Sequence, residues 1–156
     1  LPIFHHDHGP ALLKADVARW RQAISAGNRA FQNEAYIQAL EHYSTALVWA
    51  MAMYGRIDDA HVGTAALVIA HHNLADTYGH LEREAEQCHH LCAAHERLQA
   101  VADDADMAPA WRDAAWTHSR RTHAELTRFI AHHPGHPQAL AAQARGALSR
   151  PAGRSH

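Results

Sequence analysis

Cys88, Cys92 and His95 stand at i, i+4 and i+7, a spacing that lays all three along one face of a helix. Two thiolates with an imidazole suit zinc or copper(I). If the chain folds back near residue 82, His72 comes opposite Cys92 and supplies a fourth ligand. The same face also carries Leu91 and Leu98, and free cysteine is among the most buried residue types, so core packing is the favoured reading of the stripe.

The chain holds 17 histidines. His5, His6 and His8 surround Asp7 and form a cluster able to take Ni²⁺, Cu²⁺ or Zn²⁺ through imidazole nitrogen. His71-His72, His89-His90 and His132-His133 are dyads. Adjacent residues on a helix diverge by about 100°, so neither ring of a dyad supports the other as a ligand, and solvated surface is the expectation for each. Beyond the zinc or copper alternative no cofactor is expected.

Catalytic patterns are missing. Glu86 and His89 form one Glu-x-x-His element, whereas a di-iron bundle needs two of them and two further carboxylates. No Gly-rich phosphate loop, nucleophile elbow or His-Glu zinc-protease pattern occurs. A Cys–His nucleophile needs an electropositive, exposed pocket that nothing near Cys88 or Cys92 predicts. The expectation is a protein that is not an enzyme.

These side chains need a scaffold, and composition says which. The 156 residues, 47% of them hydrophobic and 19% charged, fit one globular domain. Thirty-four are alanine, the best helix former, with few Gly and Pro, so the fold class is all-α. A net charge of −2 at pH 7 argues against nucleic acid or an acidic membrane as partner. Thirteen of the 14 basic residues are arginine, Lys14 being the exception. Two cysteines are too few for a disulfide scaffold, which points to a reducing, cytoplasmic setting. No apolar run reaches the roughly 20 residues of a bilayer span. Leu1-Pro2-Ile3-Phe4 does not open a secretory leader. The histidines suggest a further possibility, assembly gated by pH.

Residues 1–10, punctuated by Pro2, Gly9 and Pro10, read as a His-rich arm, 11–148 as the helical domain and 149–156 as a tail. Leu13, Val17, Trp20, Ile24 and Phe31 recur at helical spacing and predict a first helix to about Glu34. A second runs from about Tyr36 to Tyr54 and stops at Gly55. Asp58 or Asp59 caps a third from about Ala60 to His80. A fourth, from about Arg83 to Asp103, follows so closely that the pair must be an antiparallel hairpin. The acidic 103–106 turn offers a cap to a fifth helix, Pro109 to His132. A sixth, from about Gln138 to Leu148, closes the fold. About six helices are expected.

The run Gly27-Asn28-Arg29-Ala30-Phe31, then Tyr36, Ala39-Leu40, Tyr43 and Ala46-Leu47, resembles the tetratricopeptide (TPR) repeat. A weaker copy begins at Asn73-Leu74-Ala75 and passes through Tyr78 to Glu82-Arg83-Glu84-Ala85, where its turn looks short. A third trace lies at Ala110-Trp111 and Ala114-Ala115. Gly27 to Ala75 is longer than the family's usual period of about 34, so the array is irregular. The resemblance implies antiparallel helix-hairpin repeats in a TPR-like α-solenoid, whose first helices line a concave groove for a partner peptide. Its groove positions fall at Arg21, Ile24, Asn28, Phe31 and Gln32, at Ile69, His72, Asn73, Asp76 and His80, and at Arg112, Trp116 and Arg120. Asn28 and Asn73 match the asparagines that hold a terminal carboxylate in chaperone-binding members. The basic position of that clamp is Ile24, so hydrogen bonding between helices is the favoured role for both. The implied function is a non-catalytic protein-interaction module. A metal-binding helical protein is the alternative.

Overall fold

The computed structural model describes residues 10–148, so His5, His6 and His8 and the 149–156 tail lie outside the described residues. Six helices follow one another, α1 (Pro10–Gln32), α2 (Tyr36–Met53), α3 (Ala60–His80), α4 (Glu84–Asp103), α5 (Pro109–His132) and α6 (Pro137–Leu148). Among the described residues there is no strand, and no helix is long and apolar enough to cross a membrane.

The first helix ends two residues earlier than its periodicity suggests, because Glu34 takes φ 59°. Glu34 N–H donates to Phe31 C=O at 2.9 Å and Ala35 N–H to Ala30 C=O at 2.8 Å, the two bonds of a Schellman stop. The same stop ends α3: Glu82 has φ 58°, Glu82 N–H donates to Gly79 C=O at 3.1 Å and Arg83 N–H to Tyr78 C=O at 2.9 Å. The second turn is therefore as long as the first, not shortened. Helix ends Gln32 and His80, and helix starts Tyr36 and Glu84, share one offset of 48 residues. Gly55, at φ 82°, stops α2. Asp59 caps α3, accepting from His61 N–H and Val62 N–H, each at 3.1 Å. The acidic turn does not cap α5: Asp104 accepts from Asp106 N–H at 2.9 Å, and α5 starts on Ala108 with Pro109 in its first turn.

Each helix packs on the next, and α1 also meets α3, α3 meets α5 and α4 meets α6. Within the first hairpin, Ala39 and Ala46 are fully buried, and a Cβ on Gly27 would lie 2.5 Å from the Tyr43 ring. Hydrogen at that position is what allows the α1–α2 approach. The largest core joins α2 to α5 through Met53, Tyr54, Leu67, Leu98 and Trp111. A second core, with Ala75, Leu91, Leu126 and Phe129, closes the other end and takes in α6.

Candidate functional site

The short turns after α1 and α3 make consecutive helices antiparallel, so α1, α3 and α5 run the same way and end on the same side. Phe31 and His80, each in the last turn of its helix, meet edge to face at 5.0 Å, and Tyr36 stacks on His80 at 4.9 Å. Beside this cluster a cleft of about 690 Å³ opens between the C-terminal halves of α3 and α5. Ala75, Asp76, Gly79 and His80 form its α3 wall, while Glu125, Arg128, Phe129, His132 and His133 form its α5 wall. Gln87 and Leu91 of α4 lie between, and Phe31 closes the α1 edge.

Most polar groups in the cleft are already engaged. Arg128 pairs with Glu125. His132 Nδ1 donates to the Arg128 carbonyl at 2.9 Å. His133 Nδ1 lies 3.0 Å from Glu84 Oε1, and its ring stacks on Phe129 at 4.4 Å. Asp76 differs, making neither hydrogen bond nor ion pair among the described residues. Partial burial, then the neighbouring Glu125 charge, hold its carboxyl above the ordinary value against the opposing pull of Arg128, His80 and Arg121.

Of the thirteen groove positions implied by the TPR resemblance, Phe31, Asp76 and His80 line the cleft. Asn28 accepts from the Tyr43 hydroxyl at 2.5 Å, the inter-helix bond favoured for it. Ile24 packs on the cores beneath α1. Arg112 donates through Nε to the Ala102 carbonyl at 3.3 Å, and Trp116 packs against the largest core. Arg21, Gln32 and Arg120 are exposed, while Ile69 and Asn73 are half-buried outside the cleft. Sequence reasoning missed Gln87, Leu91 and the whole α5 wall. Glu125, Arg128, Phe129 and His132 do stand at i, i+3, i+4 and i+7, a stripe that could have marked that face.

The proposed four-ligand metal set is not assembled. Cys88 and Cys92 are buried with their sulfurs 3.7 Å apart, and they face α6: Cys88 lies 3.6 Å from His136 Nδ1 and Cys92 3.8 Å from the Gln138 carbonyl. His95 turns to Thr122 on α5 at 2.8 Å. His72 is buried, and among the described residues neither of its ring nitrogens has a partner. Its neighbour His71 is the residue that meets α4, with Nδ1 3.1 Å from His90 Nδ1, because one step along a helix turns a side chain by about 100°. Among the described residues no group of three or more His, Cys, Asp or Glu side chains could hold a metal ion. The dyads also depart from uniform solvation: His71 and His72 are both buried, whereas His89 and His132 are exposed. His71, His89 and His90 border a second cleft of about 420 Å³ on the opposite face, with Leu47, Met51 and Leu67.

No curated protein and no solved structure matches the chain. The family described as "Protein of unknown function (DUF2753)" matches residues 18–149, and since that span is most of the 156 residues, the chain belongs to this family.

Proposed function

We propose that this protein is a TPR-like, non-catalytic interaction module that takes a segment of a partner protein in the cleft between α3 and α5. One observation carries the reading: α1, α3 and α5 end around a cleft of about 690 Å³ that the half-buried Phe31 ring borders, with a carboxylate at Asp76 that makes no hydrogen bond or ion pair among the described residues. Recognition grooves combine apolar contact with a few directing polar groups; the half-buried Phe31 ring supplies the first over a floor of buried Leu91 and Phe129, while Asp76 and Gln87 supply the second. The hairpin turns repeated at one offset, and the Gly27–Tyr43 approach, support the solenoid assignment.

Site-specific photo-crosslinking tests this in cells that express the chain. A photoreactive phenylalanine analogue at Gln87 lies in the cleft, and one at Val48 lies on the exposed face of α2. Discrete protein adducts from position 87 and none from position 48 are expected. Adducts from position 48 alone, or from neither, would remove the cleft as the binding surface.

A further inference from the structure

Cys88 and Cys92 stand one turn apart on α4, and their sulfurs lie 3.7 Å from each other. A metal–thiolate bond is about 2.3 Å long, so one ion reaches two sulfurs up to about 4.6 Å apart. The helix therefore holds this pair within chelating distance before any ion arrives. Neither cysteine lines the cleft between α3 and α5, so the pair is a separate feature of the molecule.

The surroundings differ from those of two simple core fillers. The cluster they join is otherwise built of Ala, Leu and Phe side chains, yet both sulfurs meet polar atoms. His136 Nδ1 lies 3.6 Å from the Cys88 sulfur, and the Gln138 carbonyl 3.8 Å from that of Cys92. On its far side His136 Nε2 lies 3.8 Å from Glu84 Oε2. A carboxylate behind an imidazole orients the ring and is a recurrent support at metal sites. His136 and Glu84 are partly exposed, so this ring joins the buried thiol to the surface. Arg145 adds a positive charge that acts on Cys92.

The number of donors selects the ion. Zinc takes three or four protein ligands, and among the described residues no such group is assembled. Copper(I) is soft, prefers thiolate sulfur and is satisfied by as few as two donors. We propose that Cys88 and Cys92 bind one copper(I) ion, with an N–H of His136 directed at the Cys88 sulfur. Copper(I) displaces the proton of each thiol, so two Cu–S bonds form, two protons are released and the oxidation state of copper does not change. The resulting bis-thiolate unit carries one negative charge, which the His136 N–H and Arg145 offset. Both ligands belong to α4, so the ion ties no two helices together, and the site holds or hands on copper without shaping the fold.

Titration of the reduced chain against the coloured copper(I)–bicinchoninate complex, without oxygen, tests the proposal on three proteins: the unaltered chain, Cys88→Ala combined with Cys92→Ala, and His136→Ala. Circular dichroism melts confirm that the variants fold. The unaltered chain is expected to withdraw one equivalent of copper(I) and to gain the near-ultraviolet thiolate-to-copper charge-transfer band, which reports sulfur ligation without recourse to any variant. The double variant should withdraw none. His136→Ala should keep the single equivalent but bind it at least tenfold more weakly, and excess zinc should displace nothing. No withdrawal by the unaltered chain, withdrawal without the band, or equal withdrawal by the double variant would overturn the site, the last two by assigning the copper to histidines. Displacement by zinc would overturn the two-donor assignment, and unchanged affinity in His136→Ala would remove that residue from it.

Discussion

His95 illustrates how packing fixes a proton. The Thr122 hydroxyl donates to the Ser119 carbonyl at 3.0 Å, so it must accept from His95 Nδ1 at 2.8 Å, which leaves the buried Nε2 with a lone pair and no donor. His71 and His90, joined Nδ1 to Nδ1, likewise share a single proton. Burial pushes His71 down to about 3 and His72, His90 and His95 down to about 4. In the unfolded chain each takes up a proton near pH 6.5. Between pH 6.5 and about 4 the unfolded state therefore binds more protons, and stability falls as pH falls, by about 1.4 kcal/mol per unit for each fully buried group. The raised carboxyl of Asp76 acts in the opposite direction, but it is one group against four. Urea midpoints are expected to drop between pH 7.5 and 5. His72→Leu, which removes two unpartnered buried nitrogens, should hold or raise stability at pH 7.5 and flatten the acid slope. Equal midpoints at both pH values would contradict neutral, buried imidazoles.

At the scale of elements, the hairpin is the repeating unit and Gly27 is its tightest point. Alanine there gains up to about 1 kcal/mol of helix propensity, but its Cβ would lie 2.5 Å from the ring of a Tyr43 that is only 3% exposed. Overpacking of this kind typically costs about 1–3 kcal/mol, so the clash decides the sign. Gly27→Ala should lower the melting temperature. In a Tyr43→Leu background the same change should be neutral or stabilising, a non-additivity that double-mutant melts would measure. A loss that persists without the ring would show that Gly27 acts in some other way. In the second hairpin, Ala75 and Leu91 hold the corresponding positions at the same offset and share one core. The unit thus tolerates a different pair of residues when their shapes match. The hairpins and most of their ends were legible in the sequence, because helical periodicity, the Gly55 stop and the Asp59 cap are local signals. The Schellman stops were not, since both place glutamate at a left-handed position that usually takes glycine.

Across the whole molecule, α6 ties the C-terminal end together. It packs Ala139 and Ala142 on the core of α4 and α5, and Arg145 pairs with Glu96. It also covers both thiols. Burial pushes Cys88 up from its ordinary value and Cys92 up to about 12, so thiolate is scarce at pH 8 and alkylation should be slow. The intact protein is expected to react with Ellman's reagent at least tenfold more slowly than in urea. A chain ending at Pro134, which lacks His136 and the Gln138 carbonyl beside the sulfurs, should approach the urea rate while keeping most of its helical circular dichroism. Fast labelling of the intact chain would mean that α6 does not seal this core.

Periodicity, alanine content and short polar links were enough to set six antiparallel helices and their approximate limits, because each signal acts over one or two turns. The small and aromatic residues of Gly27 to Leu47 further specified how closely the first pair packs. The location of the cleft was a tertiary outcome: its walls come from helix ends about fifty residues apart, and only the relative register of α3 and α5 brings Asp76 to face Glu125. The fate of the histidines was tertiary too. A step of about 100° separates His71 from His72, and only the neighbouring helices decide that one meets His90 while the other is buried with no hydrogen-bond partner among the described residues.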